Sequence, residues 1–157
     1  MKLSSGWEQS VYALLILARF PERPMSSIML AERLNVSQSY FKKIVKALVN
    51  EGLLNSTTGK NGGFSLAKDL ADINFYDVFV AVEGRGKIFQ SQQLLKNFLG
   101  DDEGKKADKC AITDALDVIE NTLVKTLSAV TLEKVLKETE ENYDLTDLDK
   151  WIWENKY

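Results

Sequence analysis

The hydrophobic positions first recur at helical spacing. From about residue 6 to 20, Trp7, Val11, Leu14, Leu15 and Ala18 form one stripe, and Tyr12, Ile16 and Leu17 widen it, which predicts a mostly buried helix. Pro21 and Pro24 stop that helix and bracket a turn. Two shorter helical patterns follow, roughly 26–34 and 37–51. Leu30, Leu34, Val36, Phe41 and Ile44 are apolar where two short crossing helices must seal a shared core, and Ala31 is small where they approach closest. Asn35 stands at the turn, where a residue tolerant of positive φ is wanted, and Ser37 fits as the N-cap of the second helix. In that second helix Phe41, Ile44, Val45, Leu48 and Val49 face inward, which leaves Gln38, Ser39, Lys42, Lys43 and Lys46 on the other side. Glu51-Gly52 closes it with a glycine.

The period then changes from helical to alternating. Residues 53–57 and 64–67 flank Thr58-Gly59-Lys60-Asn61-Gly62-Gly63, the pattern of a β-hairpin with Leu54, Phe64 and Leu66 turned onto the helices. An ordinary αα-hairpin would explain the two helices alone; a small hairpin directly after them reads as the wing of a helix-turn-helix head that binds DNA. Its tip can lie along a phosphate backbone or enter a minor groove, with Lys60 as the cation. The glycine loop lacks the Gly-Lys-Ser/Thr ending of a nucleotide-binding loop, and a strand follows it.

Further on, Phe75 to Glu83 reads as a short helix with Asn74 near its cap and Gly84 at its end. Ile88 to Leu99 predicts another, carrying Leu94, Leu95, Phe98 and Leu99, and the stretch from Gly100 to Lys106 reads as a polar, mobile connector. From Ala111 to about Val130 a long helix places Leu116, Ile119, Leu123, Leu127 and Val130 along one seam. Thr131 looks like the cap of a last helix beginning with Leu132, Val135 and Leu136. The aromatic tail from Trp151 to Tyr157 can pack on the body, swap onto a partner or offer a docking peptide. This divides the chain into a winged helix-turn-helix domain (1–84), a connector (85–110), and a dimerisation helix with a helical tail (111–157). The fold class is mainly α with a small β-wing. The long apolar edge could be filled within the monomer by the first and last helices; a second copy is the more economical cover, and a two-fold dimer would read a palindromic site.

Charge sharpens the picture. Residues 1–69 hold nine Lys/Arg against five Asp/Glu, whereas the remainder holds eleven against eighteen. A basic head on an acidic body suits a protein that turns one face to DNA. No acid lies between Ser37 and Asn50 while three lysines do, which favours a phosphate-facing surface over a merely solvated one. No apolar stretch approaches the roughly 20 residues that span a bilayer, and the absence of a cleavage-site pattern argues against a secretory signal, so a cytosolic location is expected.

Candidate chemistry is sparse. There is no histidine, and one cysteine excludes an intrachain disulfide framework. Cys110 has no imidazole to activate it, so an enzyme is not expected, nor any metal or other cofactor. Asp101-Asp102-Glu103 reads as solvated loop acids rather than a cation site. Lys105, Lys106 and Lys109 could stabilise a Cys110 thiolate and make it a redox sensor, against the simpler reading of an inert buried thiol.

Val11 to Ala18, Ser37-Gln38-Ser39-Tyr40-Phe41, the wing Thr58 to Ala67 and the ending Val80-Ala81-Val82-Glu83-Gly84 together resemble the Rrf2 family of bacterial winged-helix regulators, in order over most of residues 1–140. That family includes the iron–sulfur cluster regulator and the repressor of cysteine metabolism. The resemblance implies a homodimer joined through the long helix, with Leu116, Ile119, Leu123, Leu127 and Val130 at the contact. It also implies a transcriptional role, usually repression, on double-stranded DNA. By the same resemblance Ser37, Gln38, Ser39, Tyr40 and Lys43 approach DNA, and the wing with Thr58, Lys60 and Asn61 reaches a neighbouring groove. The family's wing commonly reads Arg-Gly-Pro-Gly-Gly-Gly-Tyr; here Thr58, Lys60, Asn61 and Phe64 replace Arg, Pro, Gly and Tyr, so the usual minor-groove arginine is missing. Some members bind a cluster through three cysteines and a histidine, and only Cys110 matches that set, which places this chain in a cluster-lacking branch. The expected function is a sequence-specific dimeric regulator, with a small-molecule or redox effector as a possible signal. The alternatives are a winged-helix protein-interaction module without a DNA target, and a regulator sensing through Cys110.

Overall fold

The computed structural model describes residues 3–87, 89–100 and 110–155. Ile88, the acids Asp101 to Glu103, the lysines Lys105, Lys106 and Lys109, and Lys156-Tyr157 at the tail's end lie outside those residues. Two compact units are present, Met1–Arg85 with Ser128–Tyr157, and Gly86–Leu127.

The first unit is built on α1 (Ser5–Arg19), whose Val11, Ala13, Leu14, Leu15, Ile16 and Leu17 are all buried. Tyr12, expected to widen the buried stripe, is instead half exposed at 51%, because it falls on the narrow outer edge shared with Glu8. Across one side of α1 lie α2 (Ser27–Arg33) and α3 (Gln38–Asn50), with Leu30, Ala31, Phe41, Ile44, Val45 and Leu48 closing the core between them. Ser26 caps α2 by accepting from the Met29 amide, and Ser37 caps α3 by accepting from Tyr40. Asn35, at φ 52°, makes the turn between them. The antiparallel hairpin β1 (Leu54–Thr57) and β2 (Gly63–Leu66) pairs Leu54 with Leu66 and Ser56 with Phe64. Leu54 is buried, whereas Phe64 and Leu66 are half-buried against the core.

A single turn at Leu70–Asp72 leads to α4 (Phe75–Glu83), which carries a full capping box: Asn74 accepts from the Asp77 amide and Asp77 from the Asn74 amide. The chain returns to this point much later. Phe75 N donates to Val130 O and Leu132 N to Ile73 O, a short antiparallel bridge that delivers Leu132 into the core. Helices α7 (Leu132–Asn142) and α8 (Thr146–Glu154) follow. Thus Leu132 does not open the last helix: the aromatic tail forms α8, buries Ile152 and packs on the body of its own chain. The sequence reading grouped 111–157 together, whereas α7 and α8 contribute to the core around α1.

The second unit contains α5 (Leu95–Leu99) and most of α6 (Ala111–Ser128). The helix expected from Ile88 is confined to residues 95–99, since Gln93 adopts a left-handed backbone at φ 55° that no α-helix can run through. Likewise α6 ends at Ser128, so Val130 is not on it; its carbonyl is committed to the Phe75 amide.

Candidate nucleic-acid interface

Helix α3 presents Gln38, Ser39, Lys42, Lys43 and Lys46 to solvent. The reason is the periodicity that sends Phe41, Ile44, Val45 and Leu48 into the core. At its N-terminus the Ser37 and Ser39 hydroxyls are 3.1 Å apart, and Gln38 Nε2 donates to Glu32 Oε1 at 3.4 Å across the turn from α2. Tyr40 is partly exposed at 38%, and its hydroxyl leans over Gly6 of α1. A Cβ at Gly6 would sit 2.9 Å from that oxygen, so the glycine makes room for the tyrosine.

The wing is held at its base. Met25 N donates to Phe64 O at 3.0 Å and Phe64 N to Met25 O at 2.8 Å, tying β2 to the segment just before α2. Gly63, at φ 151°, passes so close that a Cβ would lie 2.8 Å from the Met25 backbone, and at Gly62 it would lie 2.2 Å from the Thr57 carbonyl oxygen. The glycine pair is therefore required by space, and beyond it Thr58, Lys60 and Asn61 are exposed at the tip.

The cations divide into two groups. Arg19 is paired with Asp149 and Glu140, Arg33 with Asp147, and Arg85 with Glu51. Lys42, Lys43, Lys46 and Lys60 enter none of the ion pairs among the described residues. These arginines are thus engaged with the protein's own acids, whereas the lysines of α3 and the wing tip stand outside those pairs. The sequence reading placed all eight DNA-facing candidates, Ser37, Gln38, Ser39, Tyr40, Lys43, Thr58, Lys60 and Asn61, on this helix and wing. It did not single out Glu32, whose partner lies across a turn rather than one helical turn away.

In the second unit no residue of α6 is buried. Ile119 is 52% exposed, and Leu116, Leu123 and Leu127 are half-exposed. Cys110 is half-buried just before α6, with its carbonyl accepting from Asp114 N. It borders a cavity of about 730 Å³ lined by Leu94, Leu95, Phe98, Ile112 and Leu116. A hydrogen bond from the Thr113 side chain, joined by backbone amides of the helix start, holds its thiol below the ordinary thiol pKa. Lys105, Lys106 and Lys109, suggested as partners by the sequence, lie outside the described residues.

The model of the Rrf2 family, described as iron-dependent transcriptional regulators, matches residues 3–138. The chain belongs to the Rrf2 family. It is 71% identical over 153 residues to the putative HTH-type transcriptional regulator YffB of Lactococcus lactis, covering 97% of each chain. It is 40% identical to YwgB of Bacillus subtilis, another putative HTH-type transcriptional regulator, covering 97% of this chain and 95% of that one. Among solved structures it is similar to IscR of T. potens, with a TM-score of 0.68, 25% identity and 92% of each chain covered. The fold of the cysteine regulator CymR of B. subtilis is also shared, with a TM-score of 0.64 over 88% of this chain and 98% of that one, at 24% identity. This Rrf2 protein is accordingly a winged helix-turn-helix transcriptional regulator. The iron in the family's description does not fit its donors. One cysteine and no histidine stand in the whole sequence, and among the described residues no three His, Cys, Asp or Glu come together. No helix among the described residues is long and apolar enough to cross a membrane.

Proposed function

We propose that this regulator is a cytosolic, non-catalytic homodimer that represses transcription by binding a palindromic site, each subunit offering α3 to a major groove and the wing to the groove beside it. The observation that carries the dimer is α6: an 18-residue helix with an apolar edge at Leu116, Ile119, Leu123 and Leu127 and no buried residue. Such an edge is stable in water only when covered, and a second α6 related by a two-fold axis covers both at once. Val130 lies past the end of α6, at the bridge with Phe75, and is left out of the proposed contact. Lys43 and Lys60 supply phosphate and groove electrostatics, while Gln38 and Tyr40 stand nearest the base edges. Ser37, Ser39, Thr58 and Asn61 add hydroxyl and amide contacts around them. The signal reaches the protein as a small molecule or a change at Cys110, both acting within the second unit.

Selection of bound sequences from a random duplex pool tests the reading. A two-fold symmetric consensus and binding that weakens steeply with salt are expected. Recovery of no bound duplex at any salt concentration would instead mark a protein-docking module.

A further inference from the structure

We infer that Glu32, outside the recognition helix, is a specificity-determining residue that locks the Gln38 amide in the orientation that reads adenine and rejects guanine. The inference rests on the reading of α3 as the major-groove helix. Its basis is the contact across the turn, Gln38 Nε2 to Glu32 Oε1 at 3.4 Å. A carboxylate can only accept, so the end of the amide facing Glu32 must be the nitrogen. That leaves one N–H and the Oε1 carbonyl of Gln38 side by side for a base. Adenine offers the complement in the major groove, the N7 acceptor beside the N6 amino donor. Guanine offers two acceptors, N7 and O6, so the fixed carbonyl would meet O6 without a proton between them. An unrestrained glutamine evades this by swinging its amide so that the NH2 group alone faces guanine, one N–H to O6 and the other to N7. With Glu32 in place that swing takes the N–H away from the carboxylate and leaves it unpaired, a penalty that grows as DNA expels water from the contact. Cytosine N4–H and thymine O4 each supply one partner only, so neither matches the pair.

Both side chains are exposed, so the contact contributes little to folding and can be changed without disturbing the core. The test is a binding competition among four operators that differ only at the base pair whose preference vanishes in Gln38→Ala. The native dimer should prefer A over G there by about tenfold, and Glu32→Gln and Glu32→Ala should reduce this to about twofold. The thermal midpoint and the preferences at other positions should stay unchanged. Glu32→Asp, too short to reach, should behave like Glu32→Ala. If Gln38→Ala alters no position, the register of α3 is wrong and the inference falls with it. If Gln38→Ala flattens one position and the Glu32 variants leave it intact, the lock alone is refuted. A changed preference for cytosine at a different position would show Glu32 reading a base itself and would also overturn the inference.

Discussion

Arg19 of α1 grips Asp149 of α8 through two parallel hydrogen bonds, Nε to Oδ1 at 2.9 Å and Nη2 to Oδ2 at 2.7 Å. The same guanidinium also reaches Glu140 of α7. Around this fork, Arg23 lies over the Trp153 ring at 3.4 Å, Arg33 pairs with Asp147 and stands over Trp151, and Trp153 meets Phe20 edge-on. A bidentate pair is directional, so it fixes the angle at which α8 crosses the end of α1. The family model stops at residue 138, yet α8 contributes Ile152 to the core.

Removing that buried side chain should therefore cost global stability. Ile152→Ala is expected to lower the unfolding free energy by about 2–4 kcal/mol in urea denaturation. Asp149→Ala, at a partly exposed pair, should cost about 1 kcal/mol or less. An Ile152→Ala protein as stable as the native one would show that α8 is a loose appendage. The start of α8 adds a pH dependence. Thr146, through its amide and hydroxyl, donates to Asp144 and holds that carboxylate below its ordinary range. A depressed carboxylate stabilises the fold above its unfolded pKa, and that contribution fades as pH falls through the folded value. Asp144→Asn should flatten this part of the acid limb of the stability curve.

The seam of α6 makes the second prediction. Leu123→Asp would place an unpaired charge in the proposed dimer contact, at a cost of several kcal/mol to association. Sedimentation should show a monomer at concentrations where the native protein is dimeric, with far-UV circular dichroism unchanged and operator affinity reduced. A Leu123→Asp protein that remained a dimer and bound DNA normally would move the interface elsewhere.

Electrostatic contacts give a third. Lys43→Ala and Lys60→Ala should each weaken binding to all sequences alike and lower the salt slope of log K by about one unit. Binding measured between low and moderate salt on specific and random duplexes checks both parts. A change confined to one base position would mean that the lysine reads sequence rather than phosphate.

Local patterns made the head legible. Asn35 with positive φ, Ser37 as a cap and a glycine-rich loop between alternating runs are each decided within a few residues of chain, and the structure keeps them. What the pattern missed is decided at a distance. Val130 continues the three–four rhythm of the seam, but its carbonyl is claimed by Phe75 N, 55 positions earlier in the numbering, and the helix stops at Ser128. Leu148, Trp151 and Ile152 also keep helical spacing, yet nothing nearby in the chain shows what they pack against; only Arg19 of α1 and Arg33 of α2 reveal what Asp149 and Asp147 hold. Gln93 enters the left-handed region, a conformation its side chain gives no reason to expect, and so cuts the helix expected from Ile88. Glu32 and Gln38 are six positions apart across a turn, outside the spacing that a helical reading searches.

The last prediction concerns Cys110. As the only cysteine of a chain without histidine it cannot assemble the three-cysteine, one-histidine set, so protein purified without oxygen should be colourless and free of stoichiometric iron and sulfide. Its thiol should still be reactive. The Thr113 hydroxyl and the amides at the start of α6 stabilise the thiolate, so the anion becomes populated at lower pH than for an ordinary cysteine. Iodoacetamide alkylation followed against pH should show its midpoint shifted down, and Thr113→Val should move it back up, with the DNA-binding head unaltered. Hydrogen peroxide supplies the oxidant for a switch: the thiolate attacks one peroxide oxygen, hydroxide leaves, and a sulfenic acid remains. Operator binding should then change with peroxide in the native protein and not in Cys110→Ser, while binding without oxidant is equal in the two. An oxidant response that persisted in Cys110→Ser would remove the sensor and leave the DNA-binding assignment standing. An unshifted alkylation midpoint would refute the stabilised thiolate itself.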